Sequence, residues 1–169
     1  MLLAKHLLML EEVKQQNQPF EGIKLVFELL AVAQAIDADC AKRLSRYKLS
    51  EARFVILVLL AKHASLGLTP SALADLAGVT RGTMTSLLDG LEKPLLISRV
   101  PDPLDRRAIC ICITDQGLTL VNELRQVHAQ WIDNLCRNLN AAERETATTL
   151  LHKIWLTTDA SADNGIEVR

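Results

Sequence analysis

Apolar residues return every three or four positions through most of this chain, which is the spacing of amphipathic helices rather than strands. The opening MLLAKHLLML is apolar but broken by Lys5 and His6, and Glu11, Glu12 and Lys14 follow it. With no small-residue cleavage site, it reads as an amphipathic helix, stopped by Asn17-Gln18-Pro19. A long helix is expected from about Phe20 to Tyr47, with apolar positions at Ile23, Phe27 and Leu30 and again around Ala35 and Cys40. Ser50 is placed to cap the next, RFVILVLLAKH, which is apolar nearly all round and belongs in the core. Thr69-Pro70 opens a short helix that ends at Gly78, and Thr80 caps another from Arg81 to about Lys93, broken by Pro94. Two helices close the chain. The first starts at Thr114-Asp115 and steps through Leu118, Val121, Leu124, His128, Trp131 and Leu135. The second runs from Ala141 to about Thr157, with Leu150, Leu151, Ile154 and Trp155 on its apolar side.

One stretch breaks the helical period. In ISRVPDPLDRRAICICITDQG, two short runs of β-formers flank a tip rich in proline and charge, which predicts a hairpin over residues 97–113. Cys110 and Cys112 alternate onto one face of its second strand, and Ile109, Ile111 and Ile113 onto the other.

Composition narrows the class. At 169 residues, 49% hydrophobic and 23% charged, the chain suits a folded protein with a sizeable core. Aromatics are only 4%, so that core is built from Leu, Ile, Val and Ala. The formal net charge of -1 argues mildly against a nucleic-acid binder but leaves room for a local basic surface. Four cysteines, at 40, 110, 112 and 136, without a secretory signal, do not form a disulfide framework. The longest other apolar run, Phe54 to Ala61, is too short to span a membrane, so a cytoplasmic protein with reduced thiols is expected.

The chemistry sits in LTPSALADLAGVTRGTMTSLLDGLE, residues 68–92. Two short helices meet at a glycine turn, and Ala74, four residues before Gly78, lets them cross closely. Leu73, Ala77, Val79, Met84 and Leu87 are expected to join them. This is helix-turn-helix spacing. The second helix carries Thr80, Arg81, Thr83, Thr85 and Ser86, short polar groups that suit a major groove about 12 Å wide. A helix pair crossing at Ala and Gly is common in α-rich proteins, but a hairpin with basic residues at its tip follows directly, and together they make a winged helix. Arg106 and Arg107 are then the wing's fingers, suited to a narrow minor groove. Arg99 on the first strand completes the expected DNA-binding set. The fold class expected is mostly α with a small β-hairpin wing: a winged helix-turn-helix plus terminal dimerisation helices.

The same residues resemble the MarR family of bacterial transcription regulators over about residues 50–120. The DxRR-like wing and the helix start Ile113-Thr114-Asp115-Gln116-Gly117 carry the likeness. The resemblance implies a homodimer, with residues 1–48 and helices 115–158 in the dimerisation region and 49–114 as the DNA-binding domain; residues 159–169, at the chain's end, are expected to form a disordered tail. It implies that Arg107 reaches the minor groove while Asp105 helps hold it. It further implies a pseudo-palindromic double-stranded operator and a small aromatic or amphipathic effector, bound at residues the sequence does not name, in a protein expected to be a repressor. Ser86 and Gly90 stand where members often have arginine, and Leu95, after Pro94, where they usually have glycine. Residues 81–107 hold five Lys/Arg against four Asp/Glu, a thinly basic face. That balance keeps a second reading open, a winged-helix protein-interaction module. No nucleophile–base pair, phosphate loop or paired carboxylates at a meaningful spacing suggest an enzyme, and neither cofactor nor metal is expected. His128 reads as a core histidine, and Cys110 and Cys112 as packing behind the wing.

Overall fold

The computed structural model describes residues 2–16, 19–101 and 108–160. The chain divides into two compact units, Met1–Val121 and Asn122–Arg169. In the first, α1 spans Ala4–Gln15, α2 Phe20–Ser45, α3 Glu51–Lys62, α4 Pro70–Ala77 and α5 Arg81–Glu92. Strands β1 (Ile97–Pro101) and β2 (Ile109–Ile113) pair antiparallel, with Ile97 opposite Ile113 and Pro101 opposite Ile109. Helix α6, Asp115–Leu135, starts in this unit and runs on into the second, where α7 covers Ala141–Trp155. Among the described residues no helix is long and apolar enough to cross a membrane.

Local chemistry sets the helix starts. The side chains of Ser50, Thr69 and Thr80 accept the backbone N–H groups of Arg53, Ala72 and Thr83 at 3.3, 3.2 and 3.2 Å. Each satisfies a donor that the first turn leaves without a partner. In the second unit Asn140 and Glu143 form a reciprocal capping box at the start of α7. Arg144 bonds the carbonyls of Leu139 and Cys136 just beyond α6, each at 3.1 Å.

The core of the first unit gathers around α3. Ile56, Leu57 and Leu60 are fully buried, with Leu73 and Ala74 of α4, Met84, Leu88 and Leu91 of α5, Ile97 of β1, Ile111 of β2 and Val121 of α6. Ala74 is buried as its small size at the crossing requires. Ala77, Val79 and Leu87, expected to join the helix pair, are only half-buried, while Leu73 and Met84, expected with them, are fully buried, as are Leu88 and Leu91. Strand β2 also has a neighbour that periodicity does not announce. Leu68 exchanges both backbone bonds with Ile111, at 3.0 and 2.8 Å, on the edge away from β1. The middle of β2 is thus paired on both edges and also buried on both faces: Ile111 is wholly buried and Cys110 nearly so, while Ile109 near the tip is exposed.

Helices α4 and α5 end in the same way with different residues, as does α2 at Lys48. Gly78 adopts φ 64°, and Val79 and Gly78 donate back to Ala74 and Asp75. Leu95 adopts φ 60°, and Leu96 and Leu95 donate back to Leu91 and Glu92. Both are Schellman closures, in which the left-handed residue is usually glycine. At Leu95 the closure is held by Leu96 and Leu91, both buried, while the Leu95 side chain itself is 67% exposed. A left-handed Leu costs roughly 1–2 kcal/mol, and glycine's extra backbone entropy returns about half of that. Leu95→Gly should therefore stabilise the fold by about 0.5–1 kcal/mol, seen as a higher midpoint in urea with an unchanged slope. An unchanged or lower midpoint would mean that the exposed Leu95 side chain holds the turn by contact.

Candidate nucleic-acid interface

Helix α5 has two faces with opposite character. Met84, Leu88 and Leu91 point inward and are buried, while Arg81, Thr83, Thr85 and Ser86 are exposed, as is the capping Thr80. At helical spacing Thr83, Ser86 and Gly90 form one outward stripe, and Arg81, Thr85, Asp89 and Glu92 lie on the opposite flank. The hydroxyls are held in place locally: Thr80 and Thr83 share a hydrogen bond of 2.9 Å, and Thr85 donates to the Arg81 carbonyl at 3.1 Å. A hydroxyl has one donor and two acceptor sites, so each keeps capacity for a further partner. The face is rigid, short and polar.

Arg99 of β1 has a partner that the sequence reading did not foresee. Its guanidinium meets Asp89 at 2.6 Å and Glu92 at 3.0 Å, tying the first strand of the hairpin to the far flank of α5. The bond to Asp89 is the main reason its guanidinium holds its proton even more firmly than an ordinary arginine. With two carboxylates already paired to it, Arg99 locks hairpin to helix and offers little net charge to a polyanion. Asp89 and Glu92, three apart on one helix, were the visible hint. Asp105, Arg106 and Arg107 lie outside the described residues.

The hairpin's other end is built on Thr114. Its hydroxyl donates to the Leu95 carbonyl at 2.7 Å and accepts the Gly117 N–H at 3.1 Å, while its own N–H donates to Leu96 at 3.1 Å. Thus one residue caps α6 and anchors the closure that ends α5.

Cys40 and His128 take structural places. Cys40 is buried on α2. Burial pushes its thiol up, and Glu51, Asp37 and Asp39 push it the same way, so it carries little reactive thiolate. His128 is half-buried, with its ring 5.2 Å from that of Trp131. Among the described residues no cluster of three or more His, Cys, Asp or Glu is arranged to hold a metal ion.

The model of the MarR family matches residues 49–109, from two residues before α3 to the first residue of β2. The regulator PecS of Dickeya dadantii is 30% identical over 135 residues, covering 79% of this chain and 81% of its own. The chain belongs to the MarR family. MhqR of Bacillus subtilis, another helix-turn-helix transcriptional regulator, is 28% identical and covered over 92% of its length. Among solved structures, the reduced form of Escherichia coli MarR is 28% identical with a TM-score of 0.63, covering 75% of this chain and 92% of MarR. The Staphylococcus aureus MepR–DNA complex is similar in fold, with a TM-score of 0.67 at 23% identity over 79% of this chain and 97% of MepR. Family membership makes this chain a DNA-binding transcriptional regulator and not an enzyme. Its α4–α5 pair is the helix-turn-helix and β1–β2 the wing.

Proposed function

We propose that this protein is a homodimeric, cytoplasmic repressor that binds a pseudo-palindromic operator and releases it when a small aromatic or amphipathic effector binds. The observation that carries the DNA reading is the exposed Thr80–Ser86 face of α5, backed by a fully buried apolar face. Thr80, Arg81, Thr83, Thr85 and Ser86 meet base edges and phosphates in the major groove. Arg106 and Arg107 serve the wing, with Asp105 restricting an arginine's rotamers so that less entropy is lost on binding. Arg99 supports the interface through Asp89 and Glu92 instead of touching DNA. Residues 49–114 form the DNA-binding domain; residues 1–48 and 115–158 supply the dimer contacts. Exposed apolar side chains support that division: Leu7, Leu8 and Met9 on α1, and Leu150, Leu151 and Trp155 on α7.

The test is a salt-titrated binding measurement on DNA upstream of the protein's own gene, against random DNA. Thr83→Ala should cost roughly 1–3 kcal/mol on the operator and much less on random DNA, because it removes a base contact. Arg107→Ala should weaken binding to both and lower the salt slope by about one, with dimer and helix content intact. Failure of the unaltered protein to prefer any upstream sequence, with tight binding to another protein, would favour the interaction-module reading.

A further inference from the structure

The exposed face of α5 has a single basic residue, Arg81, at its first position, and Ser86 and Gly90 further along are uncharged. The Thr83–Ser86–Gly90 stripe meets its next cation only at the exposed Lys93, the C-cap three residues beyond Gly90. The space at that end is occupied. An added Cβ at Gly90 would overlap the Nη2 and Cζ atoms of Arg53, so the guanidinium of Arg53, carried on the first turn of α3, lies directly over the Gly90 backbone. Only glycine leaves room for it there. Its Nε is buried without a hydrogen-bond partner, while the residue as a whole remains partly exposed. No carboxylate among the described residues forms an ion pair with Arg53. Arg99, on the other flank of the same helix, is paired with two. So the two arginines packed beside α5 divide the work: one is neutralised by the helix's own acids, and the other brings an unneutralised charge to the end of the polar stripe.

We propose that Arg53 grips a phosphate of the DNA backbone at the C-terminal end of the α5 stripe, a cation lent by α3 beside Lys93 at the helix's own C-cap. The assignment rests on the DNA-binding reading. A guanidinium whose Nε is buried on a partly exposed residue suits a phosphate, because planar N–H donors bond its oxygens while the stem stays fixed. Such a contact positions the protein without reading sequence.

The experiment compares Arg53→Gln, Arg53→Lys and the double variant Arg53→Ala with Gly90→Arg, titrating salt on operator and random DNA. Arg53→Gln should lower the salt slope by about one and weaken both DNAs several-fold alike. Arg53→Lys should keep the slope. The double variant, with its cation moved onto α5 itself, should restore it. A slope unchanged in Arg53→Gln overturns the proposal, as does a loss confined to the operator, which would mean base reading. Should Arg53→Gln unfold, judged by circular dichroism, Arg53→Met takes its place with the same reading: a slope about one below wild type supports the contact and an unchanged slope overturns it. If the unaltered protein binds no DNA, the underlying reading fails, not this assignment alone.

Discussion

Gly117→Ala is expected to lower the stability of the fold by about 3 kcal/mol, even though alanine is the better helix former by about 1 kcal/mol. Gly117 is the third residue of α6, and an added Cβ would overlap the carbonyl oxygen of Leu96 and lie 2.9 Å from Cγ1 of Ile113. The Leu96 carbonyl cannot retreat, because it also accepts the Thr114 N–H at 3.1 Å, and Thr114 grips Leu95 beside it. The backbone of α6 must therefore move away from the end of α5, breaking the Thr114 anchor. For a chain of this size the midpoint of thermal unfolding should fall by about 6–12 °C. Gly22 is the matched control: it is also the third residue of a helix, α2, and a Cβ there meets nothing within 4 Å. Gly22→Ala should leave the midpoint unchanged or raise it. Equal losses at both positions, followed by circular dichroism, would show that backbone conformation and not the Leu96 contact requires glycine at 117.

That contact gives a physical reason for a motif the sequence showed only as a pattern. Ile113-Thr114-Asp115-Gln116-Gly117 was readable as a helix start and as a family likeness, because a capping threonine and a glycine are local signals. What they hold, the carbonyls of Leu95 and Leu96, is some twenty residues away and leaves no local mark. The same division runs through the fold. Ser50, Thr69, Gly78 and Thr80 announce their own turns, so the helix boundaries and the helix-turn-helix were legible from residue type alone. Long-range partners were not. The Leu68 bridge to Ile111, the pairing of Arg99 with Asp89 and Glu92, and the seat of Arg53 over Gly90 depend on how elements pack. For the interface, the exposed residues of α5 were named correctly as exposed, while Arg99 was placed on the DNA side without knowledge of the acids that hold it.

Leu88→Ala should cost about 2–5 kcal/mol, the range for emptying a large buried aliphatic site, and Leu87→Ala clearly less. Leu88 is 1% exposed, at the centre of the buried stripe between Met84 and Leu91, whereas Leu87 is half-buried at its margin. The distinction matters beyond stability because one residue along an α-helix turns it by about 100°. With Leu88 inward, Thr83 and Ser86 face outward; with Leu87 at the centre, the outward stripe would pass instead through Thr85 and Asp89. The phase of α5 therefore decides which side chains DNA can meet. Denaturant unfolding of Leu87→Ala, Leu88→Ala and Thr83→Ala separates the possibilities. Leu88→Ala should lose stability and DNA affinity together, since the cavity lets α5 shift on its bed, while Thr83→Ala should lose affinity with stability nearly intact. A larger stability loss at Leu87 than at Leu88 would rotate the helix by one residue and remove Thr83 and Ser86 from the interface. The Arg53 assignment would go with them, because Gly90 lies on that same stripe.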